Sequence, residues 1–410
     1  MGFSVVAASL AVAGLVQALL GAVLVRRFAR QARRSRPMPR RDLPWITVLK
    51  PLHGDEPMLA AALESLCRQD YPHYQIVFGV QDPADPARLV AERLAARYRQ
   101  LDIAVVVDPM QHGANRKIGN LINMFPSARH DVLVIADSDL HVRPDYLRRL
   151  VAALEQPGIG LVTTLYAGLP ASGRLAARLG ALQITEIFLP GALMARALGR
   201  RDCLGATMML RRATLERIGG LNSLADHLAD DHVLGALARS LGLGIALART
   251  VPVTTVPETA IGPLFRHELR WGRTIRALVP VSFLLSALQY PLAWATLAFL
   301  LAPSGRAFGL FALAWACRAA TAHASSDALR RLLGPLARRP ALWLLPARDL
   351  LSVAVMVASF AGRRVEWRGH AMAAGGPVRI QAGGPVPHPA VVLSAGLSDA
   401  AAASSYEVVQ

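Results

Sequence analysis

Residues Phe3 to Val25 form an almost unbroken apolar run without a charged side chain. A helix needs about 20 apolar residues to cross the hydrocarbon core of a bilayer, so this run is long enough to span one. Arg26, Arg27, Arg30, Arg33, Arg34 and Arg36 follow at once. Positive charge collects on the cytoplasmic side, which places the chain after the run in the cytoplasm. A cleaved leader carries its positive charge before the apolar core; here the charge comes after it, so the run is expected to stay as an anchor. The remainder of the chain must then fold tethered to a membrane.

Composition agrees with this constraint. The apolar fraction is 53% and the mean hydropathy is +0.35, both high for an ordinary soluble enzyme. The formal net charge is +17, and Lys50 and Lys117 are the only lysines. The arginines cluster beside apolar segments, which favours the anionic face of a bilayer over nucleic acid as their partner. Cys67, Cys203 and Cys317 lack metal or disulfide spacing and suit a reducing compartment.

From Trp45 to about Val256 short apolar strands alternate with helical stretches. Ile46–Leu49, Gln75–Val80, Ile103–Val107 and Val132–Ala136 are expected strands. Pro57–Arg68, Pro86–Tyr98, Asn115–Asn123 and Pro144–Leu154 are expected helices. That alternation predicts an α/β domain with a mostly parallel sheet. Arg174 to Arg200 is expected as a helix that is either buried or laid on the membrane interface. After a basic amphipathic stretch ending near Arg276, Val279–Leu301 and Phe308–Ala322 are expected to span the membrane. Leu342–Phe360 is also apolar but contains Arg348 and Asp349, and the arginines after it conflict with a simple third crossing. The expected organisation is therefore an anchor over 1–25, a basic linker over 26–45 and a cytoplasmic catalytic domain over 46–260. An interfacial segment over 261–278, membrane segments over 279–361 and a partly disordered tail over 362–410 complete it.

Carboxylates sit where chemistry is expected. The apolar strand Val132–Ala136 runs straight into Asp137-Ser138-Asp139. Ligands of open α/β sheets bind beyond the carboxyl ends of the strands. Two aspartates there form a hard oxygen site suited to Mg²⁺ or Mn²⁺ carrying phosphate. Asp82 and Lys50 end two other strands and should face the same crevice. Asn115-Arg116-Lys117 opens a helix, a position that favours anions. Asp230-Asp231 offers a general base for an alcohol. In His267-Glu268-Leu269-Arg270-Trp271, Arg270 can neutralise a leaving diphosphate and Trp271 can serve as a stacking wall. There is no Gly-x-Gly-x-x-Gly after a strand, no P-loop motif and no zinc-binding pattern.

Taken together, the words Leu49-Lys50-Pro51-Leu52-His53-Gly54, Val80-Gln81-Asp82, Asn115-Arg116-Lys117, Asp137-Ser138-Asp139, Asp230-Asp231 and Arg270-Trp271 carry a resemblance over about residues 40 to 370. The chain resembles the membrane glycosyltransferases with a GT-A fold, of the inverting family 2 and family 21 type. Within these it is most similar to ceramide glucosyltransferases and bacterial hopanoid glycosyltransferases. The resemblance implies that Asp82, with Lys117 nearby, contacts the uridine of a UDP-sugar, and that Asp137 and Asp139 hold the nucleotide and a divalent metal. It implies Asp231 as the general base, with Asp230 a second candidate, and places Arg270 and Trp271 in a Q/R-x-x-R-W signature. His267 stands where that signature has Gln or Arg, so its role is open.

The expected activity is inverting transfer from a UDP-sugar to a membrane lipid in a bacterial inner membrane. N-acetylglucosamine and bacteriohopanetetrol are preferred, on the arginine-rich composition and the His-Glu-Leu-Arg-Trp form of the signature; ceramide with glucose is the close rival. A non-catalytic scaffold and a metal-dependent phosphotransferase are the alternatives of other classes.

Overall fold

The computed structural model describes residues 2–39, 43–362, 364–367 and 370–373; most of the expected tail lies outside the described residues. The strands are β1 (Ile46–Pro51), β2 (Tyr74–Val80), β3 (Asp102–Val107), β4 (Val132–Ala136), β5 (Leu140–His141), β6 (Ile159–Thr163), β7 (Ala167–Pro170), β8 (Thr207–Arg211), β9 (Gly244–Leu247) and β10 (Val253–Val256). Seven of them form one sheet in the order β3-β2-β1-β4-β8-β6-β9. β3, β2, β1 and β4 run parallel, β8 is antiparallel to both neighbours, and β6 and β9 are again parallel. A small second sheet has the order β5-β10-β7, and its β5 follows the carboxyl end of β4 directly in the chain.

Every residue of β1, β2 and β4 is buried, because both faces of the sheet are covered. That is why their sequences read as unbroken apolar runs and not as alternation. On one face Ile46, Val48, Ile76, Phe78, Val132 and Val134 pack in one core; on the other, Leu49, Val77, Leu133 and Ile135 pack in a second. Burying each such side chain contributes about 1.5–3 kcal/mol. The helices α2 (Leu59–Cys67), α3 (Pro86–Arg97), α4 (Arg116–Met124) and α5 (Tyr146–Leu154) follow the expected positions to within a few residues, whereas α1 (Gly2–Arg34) runs past the expected end at Val25 through the arginines of the expected linker.

The stretch expected as a helix over Arg174–Arg200 is helical but not regular. It comprises α6 (Leu175–Leu182), a π-helical turn over Gln183–Phe188, and α7 (Leu189–Ala197). α8 (Arg212–Arg217) and α9 (Asp230–Ser240) complete the sheet domain. Then come α10 (Ile261–Leu278), α11 (Pro280–Leu285), α12 (Pro291–Leu301), α13 (Gly305–Leu333) and α14 (Leu345–Phe360), and finally a hairpin of Arg364–Trp367 with His370–Ala373.

Among the described residues, two helical segments are long and apolar enough to cross a membrane, Gly2–Arg34 and Leu342–Phe360. The expected span over Val279–Leu301 is not one straight helix: Pro280–Gln289 and Pro291–Leu301 are together apolar enough for a span but bend by 69° at the break. Pro291 cannot donate the hydrogen bond that would continue the helix. The expected span over Phe308–Ala322 is part of α13, which continues to Leu333 and takes in Arg330 and Arg331. The apolar helices pack on the sheet domain as well as on each other. Val25, Phe28 and Ala29 of α1 share a core with Leu165, Ala167, Leu189 and Val253.

Candidate active site

The site forms where β1, β2 and β4 end. Lys117 occupies its centre: Nζ lies 2.7 Å from Asp137 Oδ1 and 3.4 Å from Asp230 Oδ2. The local sequence explains how residues so far apart meet. Asn115 caps α4, its side chain accepting from the backbone N–H groups of Lys117 and Ile118, and it donates through Nδ2 to His227 O at 2.7 Å. The loop before α9 is thereby pinned to the start of α4. Burial opposes the charged form of Lys117, but Asp137 and Asp230 outweigh it and raise its pKa.

Asp139 is held differently. Its carboxylate accepts a hydrogen bond from Thr254 Oγ1 on β10, and its backbone carbonyl accepts one from Thr255 N at 3.2 Å. Burial and the neighbouring Asp137 push its carboxyl up to about 7, against the Thr254 bond. Ser138, between the two, donates to Glu56 Oε2 at 2.5 Å. Among the described residues, no group of three or more His, Cys, Asp or Glu could hold a metal alone. A Mg²⁺ or Mn²⁺ site completed by substrate phosphates needs only one or two carboxylates. Asp137 and Asp139 form such a pair, and the mutual repulsion raising Asp139 is one that a divalent cation relieves, so the donor set fits.

Lys50 is placed beneath the site, not on its wall. It is 1% exposed, and Nζ donates to Asp137 O at 2.7 Å. Its ammonium fastens the backbone that presents Asp137; burial lowers its pKa to about 8, against the pull of Asp139 and Asp137. Asp82 is a turn residue, its carboxylate accepting from Ala84 N at 2.8 Å, and it also lines the cavity.

Asp230 and Asp231 open α9, where the helix dipole favours negative charge. Asp230 is buried and turned to Lys117; Asp231 is half-buried on the cavity wall. Asp231 Oδ1 accepts from His232 N at 2.7 Å. A Cβ on Gly205 would come within 2.9 Å of Asp231 Oδ2, so a glycine there lets the backbone pass close to the carboxylate. Burial first, then Asp230, pushes Asp231 up to about 7, with Lys117 opposing.

One cavity of about 1060 Å³ contains Asp82, Lys117, Asp137, Asp139, Asp231, Arg270 and Trp271. It continues past them to Ile187 of the π-helical turn and to Phe283, Tyr290 and Met356 of the helices that follow the sheet domain in the chain. All the expected site residues except Lys50 therefore meet on one surface. Thr254, Glu56 and Glu258 were not expected there. Glu258 follows the end of β10, so the rule that brings out Asp82 and Asp137 applies to it as well.

A mixed α/β sheet with a carboxylate-lined crevice, in a chain that also carries helices long and apolar enough to cross a membrane, is the class of arrangement these residues define. The sequence profile of glycosyl transferase family 21 matches residues 6–378, and the chain belongs to that family. It is 23% identical over 257 residues to ceramide glucosyltransferase 1 of Caenorhabditis elegans, covering 61% of this chain and 54% of that one. To a ceramide glucosyltransferase of Komagataella phaffii it is 31% identical over 128 residues, covering 30% and 25%. To an N-acetylglucosaminyltransferase of Rhizobium meliloti it is 24% identical over 253 residues, covering 58% of each. The chain thus spans about half the length, or less, of the ceramide glucosyltransferases it matches. Among solved structures, a mannosyltransferase from Pyrobaculum calidifontis in complex with GDP-Man and Mn²⁺ aligns over 86% of this chain and 99% of its own, at 18% identity and a TM-score of 0.46.

Proposed function

We propose that the protein transfers a sugar from a UDP-sugar to a hydroxyl of a membrane lipid with inversion at the anomeric carbon. The observation that carries this reading is the single cavity. Its polar end holds Lys117 between Asp137 and Asp230, and its other end is apolar and lies among the helices that follow the sheet domain. A charged, water-soluble donor and an amphipathic acceptor need those two environments side by side.

Asp82 and Lys117 hold the nucleotide, and Asp137 and Asp139 would hold a divalent cation, Mg²⁺ or Mn²⁺. When bound, that ion neutralises charge on the diphosphate leaving group. Arg270 adds a fixed positive charge on the same side. Asp231 removes the proton from the acceptor hydroxyl as that oxygen bonds to the anomeric carbon. The bond from that carbon to the diphosphate oxygen breaks, and UDP leaves with the electron pair. Asp230, engaged by Lys117, is the less suitable base.

For the acceptor we propose bacteriohopanetetrol and for the sugar N-acetylglucosamine, at a bacterial inner membrane with the sheet domain in the cytoplasm. Glucose transfer to ceramide is the second reading, favoured by the relatives named ceramide glucosyltransferase. The test is lipid mass spectrometry of purified protein with Mg²⁺, either UDP-sugar and either lipid. An N-acetylhexosamine adduct on the hopanoid alone supports the first reading, a hexose adduct on ceramide the second. Release of a phosphorylated lipid or sugar with no glycolipid would refute both.

A further inference from the structure

Glu258 and His267 form a pair on the cavity wall that the proposed mechanism does not use. Glu258 lies just beyond β10, the strand whose Thr254 holds Asp139. His267 lies on α10, one turn before Trp271. His267 Nδ1 is 2.6 Å from Glu258 Oε1, with the carboxylate 9% and the imidazole 32% exposed. The imidazole meets the Trp271 indole edge-on, at 4.4 Å between ring centroids. Both members of the pair line the cavity that contains Asp231.

An ionised carboxylate only accepts hydrogen bonds, so Nδ1 must be the donor. Burial would raise the Glu258 carboxyl, but the hydrogen bond from His267, aided by Arg270, holds it below its ordinary value. The carboxylate thereby fixes Nδ1 as the protonated nitrogen, and in that tautomer Nε2 is the acceptor. A ring-nitrogen acceptor beside an indole suits the O–H of a neutral alcohol. It does not suit a diphosphate, which asks for cations such as Lys117 and Arg270.

We infer that the Glu258–His267 pair is a subsite for the acceptor's hydroxyl-bearing head group. His267 Nε2 accepts a hydrogen bond from a hydroxyl of the lipid and orients the head group towards Asp231. Glu258 positions the ring, and Trp271 bounds the pocket on its apolar side. The inference rests on the lipid-alcohol reading above and adds to it the residues that select the acceptor.

The experiment uses the purified full chain in lipid nanodiscs with UDP-N-acetylglucosamine and bacteriohopanetetrol, or UDP-glucose and ceramide, whichever pair the wild type turns over. A wild type that glycosylates neither lipid refutes the functional reading before any variant is compared. Given turnover, His267→Ala should raise the KM for the lipid about tenfold, the loss of one hydrogen bond. The Kd for the UDP-sugar should stay within about twofold. His267→Gln keeps an acceptor oxygen and should recover much of the loss. Glu258→Gln, which frees the tautomer, should raise the lipid KM by a smaller factor. An unchanged lipid KM in folded His267→Ala overturns the inference, as does a donor Kd that weakens as much as the lipid KM. Should His267→Ala fail to fold, Glu258→Gln carries the same test: a lipid KM equal to the wild type's is the contrary result.

Discussion

Asp230 and Asp231 are adjacent in sequence yet meet different surroundings. Both line the cavity, but Asp230 is buried against Lys117, whereas Asp231 is half-buried and is raised to about 7 by burial and by Asp230. A carboxyl with that pKa is half ionised near neutrality and is matched to removing an alcohol proton. The expected outcome is that Asp231→Asn lowers kcat about 1000-fold, within the range of about 10²–10⁴ for a lost general base, and leaves UDP-sugar binding by calorimetry unchanged. Undiminished turnover would remove Asp231 from the mechanism. The wild-type rate should rise with pH on a limb centred near 7, because the base is protonated below that value. Stability has the opposite sign. A folded pKa raised above the unfolded one contributes stability that is fully present below about 4 and is lost as pH rises through 7. Asp231→Asn should therefore melt no lower than the wild type at pH 8. The carboxylates were legible in the sequence because they end apolar strands or open a helix, both local signals. Lys50 was legible as a rim residue but not as a sealed one, since its bond to Asp137 O crosses two parallel strands.

At the scale of elements, the position of α10 decides where His267, Arg270 and Trp271 point. Between them, Glu268 turns away from solvent and meets Arg348 of α14 in a two-pronged ion pair, both bonds at 2.7 Å. Arg348 is completely buried and also donates to Leu179 O and Ser352 Oγ. Next to it, Asp349 accepts from Arg318 of α13 at 3.1 Å and from Leu292 N. These bonds account for the charges that made Leu342–Phe360 an awkward span in the sequence: each is consumed inside the helix bundle. Their partners lie 80 and 31 residues away, so no local pattern could reveal them. α10 and α14 also approach closely, since a Cβ on Gly272 would collide with Ser359 Oγ. Breaking a buried pair costs about 3–5 kcal/mol because a charge is left unpaired, whereas replacing both members by apolar residues is often neutral. Glu268→Gln and Arg348→Met alone should each lower the unfolding temperature in detergent. Glu268→Leu combined with Arg348→Leu should restore most of it. A double variant no better than the worse single one would show that the pair holds α10 through geometry that apolar packing cannot replace.

For the whole molecule, the main consequence is that the nucleotide end and the apolar end belong to one cavity. Alternation of strands and helices predicted the α/β domain, and the first apolar run predicted a long apolar helix. Neither could show that the break at Tyr290–Pro291 turns α12 by 69° against the preceding turns, or that the π-helical turn at Gln183–Phe188 would line the same space. Periodicity describes a helix and says nothing of its direction after a break. Ser286 sits in the short turn between α11 and α12 and lines the apolar arm. Its hydroxyl donates to Phe283 O in the local turn and also meets the side chain of Tyr290. A large ring there would occupy the arm at a half-buried position, with little to disturb in the sheet domain. If lipid enters by this arm, Ser286→Trp should lower turnover with the long-chain acceptor by tenfold or more and leave the UDP-sugar Kd unaltered. A water-soluble alcohol with a short chain, offered at high concentration, should be glycosylated by variant and wild type at similar rates, because it needs only the polar end. Equal losses with both acceptors would mean that Ser286→Trp disturbs the reacting centre itself. An unchanged rate with the long-chain lipid would require another route of entry, and the apolar arm would then be packing space instead of a path.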